Sequence, residues 1–352
     1  MKFFFIIIFF IFNQKITLAG SGHVDNREFY ESRVTFIKEY IDQIKEKRKT
    51  NSRIKGTVVE TLDGDMFTSI DDKLSQKELD EITLKECEDA EGIGCQIRFR
   101  TLKKNKKYNR YAKYDYGKKI LFMLGDEIKS KKIYSVKGID VLVNQKDYKS
   151  KNDFTCTKSK SNQKELLNTL IKEVNLYPKS FLNNSGLKYV MICEELKADN
   201  ETIAGLAPSH YDQSPGVFFM NVGGLNQWGP SERINLIKHV FHHEFYHIID
   251  TKLSKVYLDD NWTNLNSEAY SKDLVIDTYR MDTTVPGFIS VYGRNNLAED
   301  KAELFAFMIS QHQNFKKKIS NDKILIKKTK LMISRLKGIS KDMNKNFWKN
   351  LN

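Results

Sequence analysis

The chain has 352 residues, of which 40% are hydrophobic and 12% aromatic. This composition excludes a largely disordered protein, and the length is enough for two ordinary domains. The formal net charge is +13, carried mainly by lysines spread along the chain. Charge of this kind favours a solvated lysine-rich surface and predicts no specific nucleic-acid partner, while weak binding to anionic surfaces stays open.

The N-terminus has the parts of a secretory signal peptide. Lys2 is followed by an unbroken apolar run at residues 3–12, and small residues surround Ala19. The run would cover only about half of a bilayer core, so no stable membrane-spanning helix is predicted. We therefore predict a signal peptide at residues 1–19, cleaved after Ala19, and a secreted or periplasmic protein without a transmembrane segment.

Four cysteines lie in the predicted mature region, and none of them forms a C-x-x-C pair. A cysteine zinc site is therefore not predicted. An even number of cysteines in an exported chain indicates disulfide bonds. Sequence order favours the pairs Cys87–Cys95 and Cys156–Cys193, but three connectivities are open.

The first part of the mature sequence predicts an α+β accessory domain at residues 20–150. Apolar residues recur at helical spacing from Tyr30 to Ile44. The patterns that follow predict a short helix at 75–85, a hairpin tip at 103–109, and strands at 57–61, 96–101 and 120–124. The polar, lysine- and serine-rich stretch 144–162 is the candidate boundary.

Residues 151–352 form the second predicted domain, which ends in basic helices. The patterns predict a helix at 164–174, strands at 187–194 and 216–222, a long helix at 231–251, a helix at 297–311, and one or two basic helices within 324–347. No internal repeat interrupts this order.

The long helix carries the sequence His243-Glu244-Phe-Tyr-His247. Two histidines four residues apart share one face of a helix, so both imidazoles can reach one zinc ion. Glu244 stands beside them, where its carboxylate can take a proton from a zinc-bound water. His239 and His242 are interpreted as ordinary, partly buried histidines, with a fourth ligand or a substrate contact as the alternative.

The third metal ligand has competing candidates. The H-x-x-G-x-x-H continuation fails because Asp250 stands in the place of its glycine. Glu268 has the spacing of a thermolysin-type ligand, but the expected supporting acid is one residue out of place. Glu299 and Glu303 are four residues apart on one helix face, so Glu299 can bind the metal while Glu303 orients a histidine. The spacing alone leaves Glu268 and Glu299 open.

Two segments, 243–247 and 292–303, resemble the catalytic domain of anthrax lethal factor and its relatives, among them the secreted Pro-Pro endopeptidases. The stretch from His242 to Asp250 is closer still to a set of secreted bacterial proteins described as zinc-binding metallopeptidases. This resemblance covers residues 231–312. Lys301 departs from it, because relatives often have an apolar residue there.

The resemblance implies that Glu299 is the third zinc ligand and that Glu303 supports a ligand histidine. It also implies that the hydroxyl of Tyr292 stabilises the developing charge on the carbonyl oxygen, a task that needs a positioned donor. The implied fold class is α+β: a zincin-like catalytic domain, with a small sheet, an active-site helix and a second ligand helix, follows the accessory domain. Its strand at 216–222 either lines the substrate cleft or is a core strand.

The sequence therefore predicts a secreted zinc-dependent endopeptidase that holds one Zn²⁺ per chain and hydrolyses protein or peptide substrates. Zinc-activated water is the predicted nucleophile, and Glu244 is the predicted general base. The alternative is a secreted binding or toxin module with a non-catalytic zinc site.

Overall fold

A computed structural model describes residues 27–61, 66–90, 95–105, 119–121, 127–149, 155–160, 163–198, 201–207, 216–223, 225, 228–253, 259–266, 270–271, 280–281 and 283–351. The predicted signal peptide and Glu268 lie outside these residues. The architecture is mixed α+β, as predicted, with helices packed around several small sheets.

The N-terminal part packs helices against a small antiparallel sheet. Its elements in chain order are α1 (Arg27–Thr50), β1 (Lys55–Glu60), β2 (Met66–Asp71), α2 (Gln76–Asp89), β3 (Gln96–Arg100) and β4 (Lys103–Lys104). The strand order is β2-β1-β3-β4. Tyr40 and Ile44 of α1 are buried against Val58 of β1, which explains the helical spacing of apolar residues in α1.

The hairpin between β3 and β4 turns earlier than predicted. Arg100 pairs with Lys103, so the turn lies at Thr101 and Leu102. Thr101 has a φ of 53°, in the left-handed region that β-branched residues rarely adopt. The predicted tip at 103–109 is therefore wrong for its first two residues, and residues 106–109 lie outside the described ones.

Two further sheets are formed by the next ten strands. These are β5 (Lys119–Leu121), β6 (Glu127–Val136), β7 (Ile139–Asn144), β8 (Tyr148–Lys149), β9 (Thr155–Cys156), β10 (Tyr189–Cys193), β11 (Leu196–Ala198), β12 (Glu201–Thr202), β13 (Gly205–Leu206) and β14 (Val217–Asn221). The central sheet has the order β13-β14-β10-β7-β6-β5, and a smaller one has the order β12-β11-β9-β8.

The central sheet has parallel strands in its middle and antiparallel strands at its sides. β10 pairs in parallel with β7 and β14, while β6 and β13 run antiparallel to their neighbours. The sheet therefore contains strands from both sides of the candidate boundary near residue 150. The predicted domain limits remain a prediction.

β14 is a core strand of this sheet. All five of its residues are buried, and it pairs with β10 on one side and with β13 on the other. Of the two interpretations of this segment, the core strand agrees with the structure. The strand at the sheet edge is β13, which contacts the long helix.

The helices that follow β9 along the chain carry the predicted site. They are α3 (Lys164–Leu176), α4 (Lys179–Ser185), α5 (Pro230–Lys252), α6 (Asp260–Thr263), α7 (Leu297–Ser310), α8 (His312–Ile319), α9 (Lys323–Ile339) and α10 (Lys345–Lys349). α5 packs against α7, and the ring centroids of Phe245 and Phe305 lie 6.4 Å apart in their shared core. A short 3₁₀ turn, Tyr292–Arg294, comes just before α7.

Both cysteine pairs favoured by sequence order are bonded. Cys87–Cys95 joins α2 to the segment before β3, and Cys156–Cys193 joins β9 to β10. Bridges that close loops of this kind stabilise a fold by about 2–4 kcal/mol. Among the described helices, none combines the length and apolar character that crossing a bilayer requires.

Candidate metal centre

Helix α5 brings the two histidines of the motif together. It starts with Pro230, whose fixed φ suits the first helical turn. His243 and His247 are only 4% and 7% exposed, and their Nε2 atoms are 3.1 Å apart. The four-residue spacing therefore places both imidazole nitrogens at one point, as the sequence predicts.

Helix α7 adds a carboxylate to this point. The side chain of Asn296 accepts hydrogen bonds from the backbone N–H groups of Ala298 and Glu299, which fixes the first turn of the helix. Glu299 Oε2 then lies 2.9 Å from Nε2 of His243 and 3.6 Å from Nε2 of His247. The three potential ligand atoms all lie within 4.8 Å of one another.

The spacing and chemistry of these atoms fit a zinc ion. Ligand atoms of a tetrahedral zinc site are about 3.3 Å apart, given metal–ligand bonds of about 2.0–2.2 Å. The distances here, 2.9, 3.1 and 3.6 Å, bracket that value. The carboxylate of Glu299 is also buried, and its Oε2 atom faces both imidazole nitrogens, where a bound cation would balance its charge.

The electrostatics of the site favour positive charge at His243. Burial alone lowers the pKa of this imidazole, but Glu299 and Glu303 raise it well above its ordinary value. For Glu299, burial raises the pKa, but His247 and His243 outweigh it and lower the pKa to about 2. Without a metal, a proton on His243 supplies this positive charge, so metal binding should release protons.

Glu303 holds the other nitrogen of His243. Its Oε1 atom is 2.9 Å from Nδ1 of His243, and its Oε2 atom accepts a 2.6 Å hydrogen bond from the Ser290 hydroxyl. Burial raises the pKa of Glu303, but His239 and His243 hold it well below its usual value. Because the ionised carboxylate only accepts, Nδ1 of His243 carries hydrogen and Nε2 is directed to the metal position.

Glu244 lies beside the histidines and against the edge strand β13. Burial is the largest effect on its carboxyl group and raises the pKa to about 7, while the Ala207 backbone N–H and the two histidines act in the opposite direction. Its Oε2 atom is buried without a hydrogen-bond partner. A Cβ atom at Gly205 would lie 2.6 Å from Glu244 Cγ and Oε1, so only glycine fits at this position of β13.

Tyr292 is the remaining predicted catalytic residue. It begins the 3₁₀ turn before α7, and its ring centroid is 5.8 Å from that of His243. The structure therefore brings all six predicted site residues into one region between α5, α7 and β13. Glu268, the competing ligand, lies outside the described residues.

The two extra histidines of α5 face different neighbours. His242 is fully buried and bridges Tyr177 and Glu173, on the side of α5 that meets α3. His239 instead contacts Glu303, with its Nε2 atom 2.8 Å from Oε1. Both histidines are thus more deeply buried than the sequence suggests, and only His239 joins the metal centre.

Sequence reasoning missed Ser290 and β13. Ser290 hydrogen-bonds Glu303 across the 3₁₀ turn, and nothing in its local sequence signals this contact. β13 has only two residues, too few for a strand pattern. In the sequence, the only signal that β13 approaches Glu244 closely is a glycine beside small apolar residues.

Residues 178–349, slightly less than half of the chain, match the model of a family described as "Putative zinc-binding metallo-peptidase". The matched region contains both ligand-bearing helices and the edge strand. No curated protein and no solved structure matches the chain. The family match supports a zinc metallopeptidase in general terms, and the resemblance to lethal factor stays a prediction.

Proposed function

We propose that this protein is a secreted zinc-dependent endopeptidase whose metal is held by His243, His247 and Glu299. The observation that carries the proposal is the convergence of two imidazole nitrogens and one carboxylate oxygen on one buried point. Three protein ligands leave a fourth position for water, which is the arrangement of catalytic zinc sites. A closed structural site would use a fourth protein ligand.

A zinc ion at this position would supply a nucleophilic water at neutral pH and polarise the carbonyl group of the substrate. Glu244 would serve as the base for that water and as the acid that returns the proton to the nitrogen of the leaving amine. Burial supports this role, because it raises the pKa of the Glu244 carboxyl group above its ordinary value in the metal-free protein, which makes the carboxylate a stronger base than an exposed one.

Two further side chains complete the proposed chemistry. Glu303 accepts the Nδ1 hydrogen of His243 and so keeps the other nitrogen available to the metal. Tyr292 donates its hydroxyl hydrogen to the substrate carbonyl oxygen as negative charge develops there, a role supported by the proximity of its ring to that of His243.

The substrate is a protein or peptide in an extended conformation. Among the described residues β13 is the last strand of the central sheet, and its Gly205 packs closely against Glu244, so an extended peptide backbone could pair with this strand near the proposed base. Export is supported by the predicted signal peptide and by the two disulfide bonds, since such bonds persist in oxidising compartments.

Cleavage of a broad peptide library by the exported full-length protein tests this function. We expect cleavage that stops when a zinc chelator is added and returns when zinc is restored. The Glu244→Gln protein serves as the control, because a contaminating peptidase would persist in that preparation. A wild-type protein that binds zinc and cuts nothing would favour the rival function, a binding or toxin module with a non-catalytic zinc site.

A further inference from the structure

His239 lies one helical turn before His243 and takes no part in the proposed catalysis. It is only 1% exposed, and its ring packs on Phe307 of α7 with centroids 4.5 Å apart. Its Nε2 atom is 2.8 Å from Glu303 Oε1, the same oxygen that lies 2.9 Å from Nδ1 of His243. Two imidazoles on successive turns of α5 therefore share one carboxylate oxygen.

The hydrogens in this arrangement follow from the carboxylate. An ionised carboxylate only accepts hydrogen bonds, so Nε2 of His239 and Nδ1 of His243 both carry hydrogen. The Ser290 hydroxyl donates to the other oxygen of Glu303 at 2.6 Å. Donors from α5 and from the segment before α7 therefore hold both oxygens of the carboxylate that orients His243.

A second metal ion between His239, His243 and Glu303 is the competing interpretation, because their ligand atoms also lie within 4.8 Å of one another. Such an ion would require His243 to give up its Nδ1 hydrogen while its Nε2 atom binds the first metal. The two short distances to a single oxygen, 2.8 and 2.9 Å, already satisfy the three groups as hydrogen bonds.

We propose that His239 is a positioning residue that fixes Glu303 and, through it, the metal-binding orientation of His243. This inference rests on the proposed zinc site. Removing an outer partner of a metal-ligating histidine typically costs 10–100-fold in metal affinity or activity. His239 acts one step further out, through the oxygen that it shares with His243.

Two substitutions of His239 separate the effect of losing its N–H donor from the effect of changing the side-chain volume. His239→Gln keeps an N–H donor at a reach similar to that of Nε2, whereas His239→Leu removes the donor from a side chain of comparable size. The matched control is His242→Leu, because His242 is equally buried on α5 and also contacts a carboxylate, Glu173, but no residue of the metal centre.

The measurements are the zinc Kd of the exported full-length protein, by competition with a chromophoric chelator, and the Tm of its metal-free form. Because His239 acts through Glu303, we expect His239→Leu to raise the Kd about 10-fold, at the lower end of the 10–100-fold range of direct outer partners. We expect His239→Gln to remain close to wild type. His242→Leu should lower the Tm and leave the Kd unchanged. If His239 had only a structural role, His239→Leu would show this same pattern.

If His239→Leu does not fold, His239→Asn replaces it, because the shorter amide cannot reach Glu303. A wild-type Kd in the variant that lacks the donor, His239→Leu or His239→Asn, overturns the inference. Two bound zinc ions in wild type and one in the variant would also overturn it, because His239 would then be a metal ligand. Wild-type protein that binds no zinc refutes the proposed function instead, so the two failures are distinguishable.

Discussion

Helices α5 and α7 enclose two neighbouring clusters of buried ionisable side chains that balance their charges differently. We define the metal cluster as the five side chains at and around the proposed zinc position: His243, Glu244, His247, Glu299 and Glu303. The ion-pair cluster begins one turn further along α5 and contains two acids and two bases: Asp250, Asp259, Lys301 and Arg335.

In the ion-pair cluster each carboxylate has a cationic side chain beside it. Lys301 Nζ is 2.5 Å from Asp250 Oδ2 and 3.9 Å from Asp259 Oδ2. Arg335 makes two hydrogen bonds to Asp259, at 2.5 and 2.6 Å. The formal charges of the four side chains sum to zero, so the cluster is compensated by the chain itself.

In the metal cluster, three carboxylates meet no lysine or arginine among the described residues. Within the described residues, the ion-pair contacts of Glu299 and Glu303 are all with histidines, and Glu244 has none. One carboxylate oxygen of Glu244 also has no hydrogen-bond partner. Buried carboxylates require a countercharge, and where the chain supplies no lysine or arginine a bound divalent cation can supply it.

The largest expected effect is loss of zinc from the metal cluster. Among the described residues, Glu299 is the one carboxylate that faces both imidazole nitrogens, so Glu299→Ala should lower the zinc content from near one per chain to near zero on mild dialysis. Glu268→Ala is the matched control and should keep its zinc. Metal analysis after dialysis checks both variants. Loss of zinc from Glu268→Ala but not from Glu299→Ala would identify Glu268 as the third ligand, as in thermolysin-type enzymes.

A second substitution tests whether the cluster is catalytic as well as metal-binding. Glu244→Gln preserves shape and removes the basic oxygen, so zinc should stay near one per chain. Turnover should fall by about 10²–10⁴, the usual effect of losing a general acid–base group. Loss of zinc from this variant would show that Glu244 is a ligand, contrary to the proposed role.

The ion-pair cluster should respond in the opposite way. Lys301→Met leaves Asp250 buried without its cation, and breaking a buried pair in this way costs about 3–5 kcal/mol. Denaturant unfolding of the metal-free protein measures this loss, while zinc per folded chain should stay near one.

The double variant Lys301→Met/Asp250→Asn is the control for the single substitution. Because it removes both charges, it should recover much of the lost stability. A single variant as stable as wild type would show that the pair contributes nothing. Equal destabilisation in the single and double variants would attribute the loss to packing instead of charge.

The sequence predicts the two ligand helices well because their signals are local. The i, i+4 spacing of His243 and His247 needs only helical geometry, and Asn296 marks the start of α7 by capping its first turn. The parallel strands β10 and β14 are also predicted, since buried strands form continuous apolar runs.

Features that depend on the fold are not visible in the sequence. Lys301 looks like an exposed lysine at an otherwise apolar position, yet it is fully buried because α5 brings Asp250 to it. Ser290 contacts Glu303 only because the 3₁₀ turn brings them together. The turn at Thr101 is hidden because its left-handed backbone is unusual for threonine.

A smaller effect on turnover than that of Glu244→Gln is expected for the hydroxyl group of Tyr292, whose ring lies at the border of the metal cluster. Tyr292→Phe keeps the ring beside His243 and removes one donor, so zinc binding and Tm should be preserved. Turnover should fall by roughly 10²–10³, the usual effect of losing one oxyanion donor. Because the donor acts on charge that develops only in the transition state, kcat should fall with little change in KM. A raised KM with normal kcat would instead make Tyr292 a substrate-binding residue. Loss of zinc would show that Tyr292 is needed for metal binding.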